Sequence, residues 1–179
     1  MDIQKIETNY EDKSEFVSAI ITDSRGRILL LKRVDNLEKD SGKYDMCSGN
    51  MRQDEAPMQT LYRKLKEKLD MDQNDIITVE HLGDIPTPYD DLSNTITHMY
   101  HVETTLEDVN KINDKLRKIK SEEFASVRFV ENFKRVKRIQ EELMYMKYTY
   151  TKEIEEIYQI IQKKIDDRKE LKERECEEK

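Results

Sequence analysis

Apolar positions along this chain fall into short strand-like runs first and helical spacing later. Phe16 to Thr22 is apolar and β-branched, Ser24-Arg-Gly-Arg27 has turn chemistry, and Ile28 to Lys32 is a second apolar run. The pattern predicts two strands joined by a tight turn. Tyr44 to Ser48 is a shorter run that leads into Gly49. Met58, Leu61, Tyr62, Leu65 and Leu69 then recur at steps of three and four, the stripe of a helix packed on a core. Asp54 is the expected N-cap, and Pro57 suits a first turn. Ile76 to Ile85 and Thr95 to Thr104 read as two further strands, joined by the turn-rich stretch from Pro86 to Asp91. Val109, Ile112, Leu116 and Ile119 mark a second helix. The first dozen residues read as a polar arm or a short leading strand, and residues 34–43 as a charged loop with Gly42 near its end.

The spacing changes again after residue 132. Phe133, Val136, Leu143, Met146, Tyr150, Ile154, Ile157, Ile161 and Ile165 recur at three and four with no Gly or Pro between them. This predicts one long helix or two stacked ones. The expected organisation is therefore a domain over residues 1–131 and a helical extension over 132–179. The stripe must be covered by the domain itself or by a second copy, and a homodimer through this helix is the favoured expectation. Asp166 to Lys179 is almost wholly charged and is expected to fray in solvent.

Residues 49 to 71 carry the chemistry. Gly49, Glu55, Arg63, Leu65, Glu67 and Met71 fall on the pattern G-x5-E-x7-R-E-U-x-E-E-x-G-U, where U is a bulky apolar residue. The stretch resembles the Nudix box. The order of strand, turn, strand, loop, box helix and strands is similar to that family over about residues 14 to 131. Ser121 to Val130 is similar to its acidic loop and late strand. The resemblance implies an α/β fold, a Nudix α/β/α sandwich with a mixed sheet. Lys43-Tyr-Asp-Met-Cys-Ser-Gly49 is also similar to the isopentenyl-diphosphate-isomerase-like branch. The isomerase has a Cys beside that glycine and a following His. Here Ser48 and Asn50 hold those places and Cys47 comes one residue early, which argues against isomerase activity.

Three positions depart from the box. Lys64 and Lys68 stand where glutamates belong, and Asp70 replaces the late glycine. Positions 64, 67 and 68 share one helix face. Three glutamates there would total minus three and suit Mg2+. Lys64, Glu67 and Lys68 total plus one, from two positive charges and one negative. The resemblance implies hydrolysis of nucleoside diphosphate derivatives with Mg2+ or Mn2+. The substitutions imply that the ion is weakly bound or not used.

By the same resemblance, Glu67 and Glu123 are the candidate catalytic acids, and Glu67 and Glu122 the candidate metal ligands. Arg33, Arg52, Lys64 and Lys68 are candidates for substrate phosphate. Gly49, Glu55 and Arg63 are expected to be structural, with Glu55 paired to Arg63. Cys47 is expected to be a buried strand residue, and His81, His98 and His101 packed or surface residues, with His98 and Tyr100 on one face of their strand.

A net charge of minus seven offers no general attraction to nucleic acid. With no signal-like start and no long apolar span, a cytoplasmic protein is expected. Three functions follow. The first is binding of a small phosphorylated nucleotide, a nucleoside diphosphate derivative, with weak or absent pyrophosphate hydrolysis. The second is an active Mg2+-dependent hydrolase using Glu67 with Glu122 or Glu123. The third is a non-catalytic interaction protein acting through the C-terminal helix.

Overall fold

The computed structural model describes residues 15–36, 41–86, 95–131, 135 and 152–177, apart from the side chains of 86 and 152–154. Its strands are β1 (Glu15–Asp23), β2 (Ile28–Arg33), β3 (Tyr44–Asp45), β4 (Cys47–Asn50), β5 (Ile76–Pro86), β6 (Ile96–Thr104) and β7 (Phe124–Val130). The helices are α1 (Pro57–Leu69), α2 (Val109–Ile119) and α3 (Lys152–Glu177). One mixed sheet holds the strands. β1 is its centre, parallel to β6 along its whole length. On its other edge β1 is antiparallel to β4 at one end and to β2 at the other. β5 extends the sheet beyond β6, and β3 and β7 pair with β2.

The two-residue period sorts the core. Val17, Ala19, Ile21, Leu29, Leu31, Tyr100 and Val102 face one side with Leu61, Leu65 and Leu69 of α1 and Ile112 and Leu116 of α2. Ile20, Ile28, Leu30 and Met99 face the other with Ile157, Tyr158 and Ile161 of α3. Burial on both faces is why β1 and β2 read as continuous apolar runs rather than alternating ones. The result is an α/β/α sandwich in which α3 is the second helical layer. Residues beyond the expected boundary at 131 thus pack on the same sheet. Ile157, Tyr158 and Ile161 of α3 are buried against their own domain and Ile165 packs beside them, whereas Ile160 is 48% exposed. Phe133, Val136, Leu143, Met146 and Tyr150 of the expected stripe lie outside the described residues, as do 87–91 of the expected loop.

Asp166 to Glu177 is solvated, as its charge implies, but stays helical. Arg168 pairs with Glu103 of β6, and Lys164 with Glu80 of β5. Gly26 turns β1 into β2 at φ +77°, and a Cβ there would stand 2.6 Å from Ile165 Cγ2. α3 therefore lies across a turn that only glycine can make at that distance.

α1 starts two residues later than the expected cap. Ala56 occupies the cap position, and its N–H donates to Gln59 Oε1 at 2.9 Å, whereas Asp54 lies before the helix. Met58 is also not a core residue: it is 38% exposed. Buried Thr60 takes its place on the inner face, its hydroxyl donating to Glu55 at 2.8 Å. Asp70 closes the helix at φ 49°, ψ 37°, with its N–H on Lys66 O at 3.0 Å. That left-handed position is the one glycine fills most easily and Asp tolerates.

Candidate functional site

The box helix and the ends of β2, β3, β4 and β7 meet at one surface. At the head of α1, Arg63 clamps Glu55 with two hydrogen bonds of 2.5 Å, from Nε and Nη2. Arg63 Nη2 also donates to the carbonyl of Asn50 at 3.2 Å. The pair ties the loop after β4 to the helix. Hydrogen bonds from Arg63 hold the Glu55 carboxyl down at about 2.

Glu67, one turn on, is surrounded by positive charge. Lys64 Nζ donates to it at 2.8 Å, Arg63 Nη1 at 3.2 and 3.3 Å, and Arg52 Nη2 lies 3.8 Å away. The hydrogen bond from Lys64 is the first cause that lowers its carboxyl below the ordinary range. The Lys64 stem lies over Gly49, where a Cβ would overlap Lys64 Cδ at 2.6 Å. Gly49 thus leaves the lysine a path to Glu67.

Lys68 turns the other way. Its Nζ donates to Glu123 Oε1 at 3.1 Å and lies 4.9 Å from the centre of the Phe124 ring. Arg33 Nη1 reaches the same Glu123 oxygen at 3.5 Å and Asp45 Oδ2 at 3.9 Å. Glu123 is placed by the backbone bond from Val34 N–H to its carbonyl, 3.0 Å, which joins β7 to the end of β2. Glu122 is exposed.

The structure therefore brings together Arg33, Arg52, Lys64, Glu67, Lys68 and Glu123, and places Glu55 and Arg63 beside them. It adds Asp45, which was not among the candidate residues. Asp45 is buried, accepts the Met46 N–H at 2.7 Å, and is raised to about 6 by burial. A Tyr-Asp pair before the box glycine was the one signal for it.

This donor set fits a bare divalent ion poorly. Mg2+ wants several free oxygens at near-octahedral geometry. Glu67 is engaged by three cations and Glu123 by two. An anion with several oxygens suits the same surface better, since Lys64, Lys68, Arg52 and Arg33 are donors only.

Cys47 is buried and its thiol is pushed up to about 12 by burial, so it is an inert core residue. His101 is buried on the face opposite His98 and Tyr100, its Nε2 2.8 Å from Thr22 Oγ1. His81 and His98 are drawn together, through Asp84.

The NUDIX domain family matches residues 14–161 of the chain. Among solved structures, a Deinococcus radiodurans protein is similar at 12% identity and TM-score 0.58, covering 85% of this chain and 87% of its own. A MutT protein from Methanosarcina mazei is similar at 16% identity and TM-score 0.52, covering 86% and 96%. So is the NUDIX domain of Shewanella oneidensis NrtR complexed with ADP ribose, at 18% identity and TM-score 0.52, covering 81% and 91%. At these identities the likeness carries the fold alone. The curated proteins gave no match. Among the described residues, no helix is long and apolar enough to cross a membrane.

Proposed function

Because the chain belongs to the Nudix family, we propose that it binds a nucleoside diphosphate derivative and hydrolyses its pyrophosphate slowly or not at all. One observation carries this reading: Glu67, the one acid left among positions 64, 67 and 68, is neutralised by Lys64, Arg63 and Arg52. Nudix hydrolases generally use a divalent ion to offset phosphate charge and a base to orient water. In the proposed arrangement Lys64, Lys68, Arg33 and Arg52 offset that charge directly. Phosphate would draw Lys64 from Glu67 and Lys68 from Glu123, exchanging one charge-assisted bond for another. Glu67 would keep Arg63 and Arg52 beside it and Glu123 would keep Arg33, so neither is a free base to orient a water. Loss of a general base alone costs about a hundredfold to ten-thousandfold in rate.

The ADP ribose bound by the Shewanella NUDIX domain supports this ligand class and supplies the first probe. Dimerisation through the C-terminal helix has no part in the proposal, because Ile157, Tyr158 and Ile161 already face the chain's own sheet.

The test compares the parent with the Lys64→Glu, Lys68→Glu double variant on a panel of nucleoside diphosphate derivatives with Mg2+. The parent should bind at least one of them and hydrolyse it far below about one per second, the low end of ordinary turnover. The double variant should gain Mg2+-dependent hydrolysis. Ordinary turnover by the parent would establish an active hydrolase instead. Absence of binding to every compound would remove the nucleotide reading.

A further inference from the structure

The β5–β6 hairpin carries a second cluster, built from none of the box residues. In a regular strand His81 and Asp84, three apart, would point to opposite faces. Here the ladder shifts between His81 and Gly83. His81 lies opposite Tyr100, Gly83 opposite Met99, and Asp84 opposite His98. β5 thus has one residue more than its partner over this stretch, a β-bulge, and the bulge puts His81 and Asp84 on the same face. Gly83 sits at φ +131°, a conformation closed to ordinary side chains, so the bulge depends on that glycine.

The donor atoms converge. His81 Nε2 lies 2.8 Å and His98 Nδ1 2.7 Å from the same oxygen, Asp84 Oδ1. All three groups offer a ligand atom within 4.8 Å of one another. Behind them, His98 Nε2 lies 3.2 Å from Glu15 Oε2 of β1. A carboxylate in that place can hold a proton on Nε2, so an ion at Nδ1 would displace only the proton that His98 donates to Asp84, the arrangement that backs metal-binding histidines. The His98 side chain is only 14% exposed and held by its surroundings, whereas His81 and Asp84 are about half exposed and open to an incoming ion.

We propose that His81, Asp84 and His98 bind a late first-row divalent ion of the Zn2+ class, with Glu15 orienting His98. Two imidazoles and one carboxylate suit Zn2+, Co2+, Ni2+ or Cu2+, and not Mg2+, which prefers oxygen throughout. Three protein ligands leave a fourth tetrahedral position to water. The ion would link β5 to β6 across the bulge.

The full chain, stripped with chelator, is titrated with Zn2+ by calorimetry and with Co2+ by visible absorption. One equivalent should bind with a dissociation constant in the micromolar range or tighter, and Co2+ should give ligand-field bands. Glu15→Gln should weaken binding by about 10- to 100-fold, and His98→Ala or Asp84→Asn by more. Gly83→Val should abolish it. His81→Ala, at a half-exposed position, gives the same answer should Gly83→Val fail to fold. Glu67→Gln, in the box helix, should retain the ion in full. Millimolar or absent binding by the parent would overturn the site. So would affinity that survives His81→Ala and His98→Ala, or that disappears in Glu67→Gln.

Discussion

Asp45 and Glu55 sit within the same charged surface, yet pH acts on them in opposite directions. Burial raises the Asp45 carboxyl to about 6, against the pull of Lys68 and Arg33. An unfolded Asp titrates near about 3.9, so the folded state holds the proton more tightly. The stability this gives is full below about pH 4 and is lost as pH rises to about 6. Asn at position 45 still accepts from the Met46 N–H but cannot ionise. Asp45→Asn should therefore gain on the parent between pH 4 and 7, by about 2–3 kcal/mol at about 1.4 kcal/mol per unit. Urea melts across that range check it, and a constant difference would contradict it. Glu55 is held at about 2 by Arg63, so its contribution is present above about 4.5 and is lost as pH falls toward 2. Glu55→Gln should flatten the acid limb of the parent's stability curve, read by the same melts between pH 2 and 5. The roles proposed from sequence for Glu67, Lys64 and Lys68 rested on helical spacing, which fixes neighbours on one element. Spacing could not show that Lys68 leaves that cluster for Glu123, 55 positions away in sequence, or that Asp45 lies behind both.

At the level of the element, α1 was legible because a buried helix face must repeat near 3.6 residues. Leu61, Leu65 and Leu69 do so and have no exposure. Leu65→Ala should cost about 2–5 kcal/mol, measured by denaturant unfolding; a loss under about 1 kcal/mol would show that α1 is loosely packed. The start of the helix was misread because Asp54 has cap chemistry, whereas Gln59 bonding back to Ala56 caps without it. Met58 fitted the period and still faces water, since Thr60 holds the inner face of that turn. The grouping of His81 with Asp84 was not legible at all. A strand's period of two separates them, and only the Gly83 bulge, a tertiary feature of the β5–β6 ladder, reunites them.

Over the whole molecule, the strand order and box helix could be read from the chain, but the role of its last quarter could not. An apolar stripe shows that a helix needs a partner without showing which one. The partner is the sheet face of Ile20, Ile28, Leu30, Met46 and Met99. Each such side chain contributes roughly 1.5–3 kcal/mol when buried. Truncation after Glu131 should therefore leave a protein that melts far lower or aggregates, checked by light scattering and thermal melting. A stable, monomeric fragment with the parent's melting temperature would contradict this packing. The central claim is that lysines 64 and 68 stand in for the cation on the phosphate. Calorimetry of ADP-ribose binding, with Mg2+ and then with excess chelator, tests it most directly. The expected result is the same affinity in both, with binding weakened by Lys64→Ala and Lys68→Ala. Binding that requires Mg2+ and survives loss of both lysines would contradict it.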